Sequence, residues 1–369
     1  DKTAFYAEAG GQPADHGTLG GANVLDVQED ETGDIYHVTA APLEGSVHGA
    51  LDWTRRFSNM QQHGGQHLIS WAVHKYLGGY TFGLHTGAQE CTIDTDLKEV
   101  PSRETLDMLE NAVNGLIWQD LPVHQWFPSD EDLKTLPLRK KPTVSENIRI
   151  VMTGDVECVA CCGTHPTSSG QIGLVTILGA HPARGKVRIS FLCGGRAHAR
   201  LRAEADACRE AGAMLSATYE TLAQETRRVL DNAREQAHVL SEFRREALIK
   251  ALPALYENAP ELPDSTKLIA HRFDSADRDG LIKAASGLIE NPRTVALLAA
   301  GNADGAGDIA VFACSDDVKL DMGKFMSEAL KAYGGRGGGK PGFAQGGAPT
   351  PIDPAALEGA FKAWMGEAK

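Results

Sequence analysis

Between positions 199 and 252 the sequence holds no proline, and small or apolar residues return every seven positions. Leu201, Cys208, Leu215, Leu222 and Val229 form one seam; Ala205, Gly212, Tyr219, Thr226, Ala233, Leu240 and Ala247 form the other. That spacing predicts a long heptad helix, or a helical pair, stopped by Pro253. Polar Thr226 and Gln236 and small Gly212 leave the seam imperfect. A helix lying on its own domains and a dimerisation helix fit the pattern equally well, because a seam does not name its partner. Either way, two differently patterned regions must flank it.

Before the helix, residues 1–52 are rich in glycine and in short alternating runs. Residues 22–27 and 34–38 read as strands between Gly-Gly and Thr-Gly turns. Residues 58–77 carry Met60, His63, His67, Trp71 and His74 at spacings of three and four, as on one helix face, with Ser58 or Asn59 as cap. Gly64 and Gly65 sit inside that helix at about 1 kcal/mol each against alanine. Something large is therefore expected to approach the backbone there. A second helix at 102–118 precedes strands at 121–127, 148–152, 156–160, 172–178 and 186–192, with a loop at 161–166. After the long helix, 260–300 reads as linker, strand, helix, strand. A strand at 308–313, a helix at 320–333, a glycine run and a helix at 354–366 follow. The predicted architecture is α+β: a small N-terminal β unit (1–53), an α+β domain (54–197), the heptad helix (198–255) and a small C-terminal α/β domain (256–369).

Composition narrows the function. Lys+Arg 36 against Asp+Glu 49 gives a net charge of −13, which argues against a protein that coats nucleic acid non-specifically. Apolar runs are too short for a membrane span, and the first residues lack the charged and apolar regions of a signal peptide. The chain opens on Asp1 without an initiator methionine, in sequence that is already patterned, which suggests a preceding piece. Seven cysteines is an odd count, and Cys158, Cys161 and Cys162 crowd together. In a cytoplasmic protein, the expected setting, such crowding means metal or catalysis more often than disulfides.

His63-x-x-x-His67 places two imidazoles on one helix face. Gly64 stands where a metalloprotease would carry its glutamate base. Cys161-x-x-x-His165 adds a thiolate and a third imidazole from a loop, with Cys162 as the alternative thiolate. Three nitrogens and one sulfur suit tetrahedral zinc. A closed four-ligand site is usually structural, whereas catalytic zinc keeps a position open.

These motifs stand in a recognisable order. The stretch Thr3-Ala4-Phe5-Tyr6-Ala7-Glu8-Ala9-Gly10-Gly11-Gln12-Pro13-Ala14-Asp15-His16-Gly17 resembles the opening of the editing domain of alanyl-tRNA synthetase. It is closer still to the free-standing alanyl-tRNA editing proteins of the AlaX type. That family reads T-x-F-Y-P-x-G-G-G-Q-P-x-D-x-G, then H-x-x-x-H, then C-x-G-T-H. The segments 60–63, 67–70 and 91–94 favour the free-standing branch. Ala7 and Ala9 depart from the pattern without removing a polar side chain. The glycine run with Ala344-Gln345-Gly346-Gly347 resembles the DHH-associated C-terminal domain of the long AlaX proteins and of the synthetase.

The resemblance implies His63, His67, Cys161 and His165 as zinc ligands, with Gln12 and Thr3 at the editing pocket, Thr3 touching the aminoacyl group. It implies hydrolysis of Ser or Gly from the tRNA for alanine. By residue type alone, Gln12 is a turn residue and Thr3 a strand residue. Gly334-Gly335-Arg336-Gly337-Gly338-Gly339-Lys340-Pro341 has the composition of a linker and is not a Walker A loop, since Pro341 follows the lysine. Its backbone N–H groups with Arg336 and Lys340 nevertheless suit phosphate, and the resemblance favours a tRNA contact by Arg336, Gly337, Gly338, Gly339 and Lys340. Arg55, Arg56 and Arg196 are further phosphate candidates, or solvated charges. Asp15-His16-Gly17 sits in the wrong context for a DHH phosphoesterase. Two other readings remain: a non-catalytic zinc-containing tRNA-binding module, and the C-terminal portion of an alanyl-tRNA synthetase.

Overall fold

The computed structural model describes residues 2–87, 89–142, 144–302, 305 and 307–367. It mixes helices and sheets, as the α+β expectation has it, in two compact units, 1–214 and 215–369.

The first unit opens with β1 (Gly17–Leu19), β2 (Ala22–Glu29), β3 (Ile35–Thr39) and β4 (Gly49–Leu51), an antiparallel sheet in the order β3-β2-β1-β4. Helix α1 (Trp53–Leu77) follows, capped by the Asp52 carboxylate accepting from Arg55 N at 3.0 Å. The expected caps are otherwise engaged: Ser58 Oγ and Asn59 Oδ1 accept from the Arg196 guanidinium at 2.9 and 3.1 Å. Strands β5 (Thr81–Thr86) and β6 (Cys91–Thr95) come next, then α2 (Arg103–Ile117), capped by Ser102. Strand β7 (Val123–Trp126), the short α3 (Asp130–Thr135), β8 (Ile150–Thr153) and β9 (Glu157–Ala160) lead to the loop at 161–166. Strands β10 (Val175–Ala183) and β11 (Lys186–Cys193) complete the sheet β10-β11-β6-β5, and β7-β8-β9 form a third.

Leu68, Ile69 and Val73 of α1, Leu109, Val113 and Ile117 of α2, and Ile93, Ile177, Ile189 and Phe191 of the sheet make one buried cluster. At about 1.5–3 kcal/mol per large apolar side chain, this core fixes α1 against the sheet. The close approach expected at Gly64 and Gly65 is made by the protein itself. A Cβ on Gly65 would stand 2.2 Å from Cys193 Sγ, and one on Gly64 3.1 Å from Ile172.

Of the two forms the heptad pattern allows, the region takes the helical pair rather than the single long helix. Helix α4 (Gly194–Leu215) belongs to the first unit but for its last residue, and α5 (Leu222–Glu257) to the second. Ser216, at φ 52°, ends α4, and Thr218 and Thr221 bond to one another across the break. Tyr219, counted in the seam, is 81% exposed. Pro253 does not stop α5, which continues to Glu257.

The second unit adds β12 (Lys267–Ala276), α6 (Arg278–Ile289), β13 (Thr294–Asn302), β14 (Asp308–Cys314), α7 (Met322–Ala329), β15 (Arg336–Lys340), β16 (Phe343–Ala348) and α8 (Pro354–Glu367). The sheet order is β12-β13-β14-β16-β15, parallel at β12–β13 and antiparallel elsewhere. Val295, Leu297 and Ala299 face the cluster that includes α7 and α8, while Ala296, Leu298 and Ala300 face the one with α6. Both faces of β13 are covered, which is why it reads as one continuous apolar run. No helix of the described residues is long and apolar enough to cross a membrane.

Candidate metal centre and its cavity

Helix α1 brings His63 and His67 one turn apart, and the loop after β9 brings Cys161 and His165 onto them. Cys161 Sγ lies 3.3 Å from His63 Nε2 and 3.4 Å from His165 Nε2. The four donor atoms all lie within 4.8 Å of one another, and among the described residues this is the grouping that can hold a metal ion. A tetrahedral site with nitrogen and sulfur donors has donor–donor edges of about 3.5 Å, so the two sulfur edges already fit. The three imidazoles are buried and Cys161 is half-buried, while Cys162 is exposed and stands outside the group.

The loop is built around Arg149. Its Nε donates to Cys161 O at 3.0 Å and its Nη2 to Gly163 O. Gly163 has to be glycine, because a Cβ there would fall 2.0 Å from His63 Cε1. Gln12 closes the arrangement from the N-terminal segment. It is fully buried; its Oε1 accepts from His63 Nδ1–H at 2.8 Å and from Thr164 N at 3.1 Å, and its Nε2 donates to Thr164 Oγ1 at 2.7 Å. Holding the proton on Nδ1 turns the Nε2 lone pair of His63 toward the thiol. His67 Nδ1 is buried without a hydrogen-bond partner.

Burial pushes His63 down to about 4, helped by Arg149. His67 and His165 are also held well below the usual histidine value, chiefly by burial and then by the neighbouring imidazoles. Burial raises the Cys161 thiol. Neutral imidazoles keep their lone pairs, and a buried thiolate needs a cation beside it. The donor set therefore fits a divalent ion that accepts nitrogen and sulfur.

The cluster opens into a cavity of about 570 Å³, a size proper to small-molecule sites. Tyr6, Gly10 and Gly11 line one side; Arg139, Lys140, Lys141 and Arg149 line another. The Tyr6 hydroxyl, pushed up to about 12 by burial and nearby cysteines, stays protonated and donates to Ala9 O at 3.0 Å. Gln66, between the two helix histidines in sequence, also lines the cavity. Sequence reading missed Gln66, Arg149 and the basic run 139–141; that run was visible as charge, but nothing local tied it to the cysteine loop.

Other expected residues fall elsewhere. Thr3 is exposed and absent from the cavity wall; its Oγ1 lies 2.8 Å from His37 Nε2 and accepts from Phe5 N. The structure therefore does not bring Thr3 to the metal ligands. Gln12 is brought there, but as a support for His63. Arg55 donates to Ala14 O, Arg56 pairs with buried Asp15, and Arg196 holds α1 and Gly87. All three arginines hold the protein's own chain. Arg336–Lys340 form an edge strand of the five-stranded sheet in the second unit rather than a loop. A Cβ on Gly337 would meet Met326 Sδ at 2.6 Å, and one on Gly339 would meet Phe343 O at 2.2 Å, whereas Gly338 faces open space.

Fold and site together define an α+β protein whose first unit carries a metal-capable pocket. Residues 148–190 match the threonyl and alanyl tRNA synthetase second additional domain, and residues 265–367 match the DHHA1 domain. Alanyl-tRNA editing protein AlaX-L of Pyrococcus horikoshii is 31% identical over 94% of this chain and 86% of its own length. Alanyl-tRNA editing protein Aarsd1 of Danio rerio is 29% identical over 98% of this chain and 86% of its own. Alanine–tRNA ligase of Natronomonas pharaonis is 30% identical over 95% of this chain, which spans 38% of that ligase. The chain belongs to the alanyl-tRNA editing protein family.

Proposed function

We propose that the chain is a trans-editing deacylase that hydrolyses the ester joining a wrong amino acid, Ser or Gly, to the tRNA for alanine. Its cofactor is zinc, held by His63, His67, Cys161 and His165. The observation that carries this reading is the four-donor cluster at the foot of a cation-lined cavity, in a chain of this family. Zinc bound there would supply Lewis-acid polarisation and orientation of the aminoacyl group or of water. The chain's own residues do the rest. Lys140 and Lys141 draw the phosphates of the tRNA end toward the cavity. Gln12 fixes the tautomer of His63. Tyr6 presents a protonated hydroxyl at the wall. Water adds to the ester carbonyl and the ribose oxygen leaves, so tRNA and free amino acid are the products.

On this reading Arg336 and Lys340, with the Gly337–Gly339 backbone between them, grip tRNA backbone from the edge of the five-stranded sheet. The region 199–252 makes a homodimer, supported by Val229, Leu230, Val239, Leu240 and Phe243, which α5 leaves exposed. The cytoplasm, where the cysteines stay reduced, is the site of action.

One observation favours a second reading. Four donors can close a zinc shell, which makes the ion structural and the protein a tRNA-binding module. Incubation with Ser-tRNA, Gly-tRNA and Ala-tRNA separates the two. An editor releases Ser or Gly and spares Ala, and a chelator stops it; a binding module protects all three esters.

A further inference from the structure

The face of α1 that carries His63 and His67 continues through Trp71 and His74. A helix rises about 1.5 Å per residue, so these lie about 6 and 10 Å beyond His67. A second cavity, about 530 Å³, opens there between Trp71, His74, Lys75 and Tyr80 on one side and Pro137, Leu138 and Arg139 on the other. One strap of chain borders both cavities: residues 137–139 wall the second, and 139–142 line the first. Arg139 is common to the two. It is held still by Glu157, which is 2% exposed, through Nε contacts of 2.9 and 3.1 Å and an Nη2 contact of 2.9 Å, and its N–H donates to Cys158 O.

The wall of this second cavity is aromatic, with Lys75 and the paired Arg139 and Glu157 in it, and it is not shut. His74 and Tyr80 lie ring against ring at 4.7 Å and 36°. Lys75 Nζ stands 4.8 Å from the Trp71 ring and 5.5 Å from Tyr76. Tyr80 of that wall remains 37% exposed, and His74 Nδ1 has no hydrogen-bond partner. Exposed ring faces beside fixed cations are how proteins hold unpaired bases and their phosphates. Arg139 already has its carboxylate in Glu157, so the cation left for a ligand is Lys75, exposed at the rim. An apolar peptide would desolvate Lys75 without an anion, whereas an RNA strand gives it phosphate.

We propose that this cavity is a nucleotide subsite, taking the unpaired base and phosphate of the nucleotide that precedes the ester-bearing terminal one. The inference rests on the deacylase reading for its ligand. The terminal aminoacyl nucleotide occupies the cavity at the metal cluster, and the strand runs along the 137–142 strap to Trp71, His74 and Tyr80. The subsite makes the enzyme prefer an ester carried on an oligonucleotide end over one carried on adenosine alone.

The test compares 3′-seryl-adenosine with a seryl trinucleotide of the tRNA 3′ end, on native full-length protein and on Tyr80→Ala and Tyr80→Phe. Stacking of one base predicts a kcat/KM preference for the trinucleotide of roughly 5- to 100-fold in the native protein. Tyr80→Ala should collapse that ratio to within about threefold, and Tyr80→Phe, which keeps the ring, should retain most of it. Equilibrium binding of the uncharged trinucleotide and uncharged adenosine is read separately. Equal binding of the two, or an unchanged preference in Tyr80→Ala, overturns the subsite whatever hydrolysis does. Preferential trinucleotide binding that is lost in Tyr80→Ala, with neither ester cleaved, upholds the subsite and removes the deacylase reading.

Discussion

The two units use glycine and buried polarity in opposite ways. In the first, Gln12, Asn59, Gln62, His63, His67 and His165 are buried, and several of them converge on one point. Gly163 is small so that a histidine can lie against it. In the second, the sheet is packed on both faces by alanine, valine, leucine and phenylalanine, and Gly337 and Gly339 are small so that β15 can pack against α7 and β16. A buried polar group costs free energy unless it is bonded, so a unit that gathers many of them at one place is built around that place. A glycine run on a sheet edge can be accounted for by packing alone. Chemistry is thus expected from the first unit and docking from the second, and mutations can break that division.

The largest effect should come from His67→Ala. Zinc content, measured by elemental analysis after metal-supplemented expression, should fall from one per chain to near zero. Single-turnover hydrolysis should drop to background while tRNA affinity is nearly kept. A His67→Ala protein that still deacylates would move the chemistry away from the cluster.

Next is Gln12→Ala, which strands His63 Nδ1 and the Thr164 hydroxyl in a buried place. Loss of a partner behind a metal ligand lowers metal affinity by about 10–100-fold. Competition with a chromophoric chelator reads this without any activity assay. Unchanged affinity would return Gln12 to a direct role on substrate.

A smaller effect is expected from Arg336→Ala with Lys340→Ala. Affinity for tRNA should weaken, and the slope of log affinity on log salt should fall by about 0.7–0.9 for each phosphate that is no longer neutralised. Saturating hydrolysis should change little. Normal binding across salt would leave the run as a packed strand and nothing more. The glycines sharpen this: Gly337→Ala should cost about 1–3 kcal/mol of stability through overpacking. Gly338→Ala, facing open space, should cost well under about 1 kcal/mol; thermal melts of the two compare them. A monomer by light scattering at tens of micromolar would contradict the proposed 199–252 dimer.

What the sequence made legible follows from the range of the forces involved. The helix histidines were readable because i, i+4 spacing is local, and the cysteine loop because its residues are consecutive. Their meeting was an expectation from ligand chemistry. The start of α1 was misplaced, since Ser58 and Asn59 look like caps until Arg196, far along the chain, is seen to hold both. The heptad pattern runs across 216–221 without a mark, and the left-handed turn at Ser216 carries no glycine to announce it. Strands β5 and β6 went unread. The glycine run looked like a loop because its partner strand and the helix packed on it supply the reason for each missing side chain.

The decisive measurement titrates zinc back into chelated protein while following Ser release from Ser-tRNA for alanine. Chelated protein should be inactive but still bind tRNA, and activity should return linearly and level off at one zinc per chain. Full hydrolysis by the metal-free protein, or restored zinc with the ester left intact, would contradict a zinc-dependent deacylase.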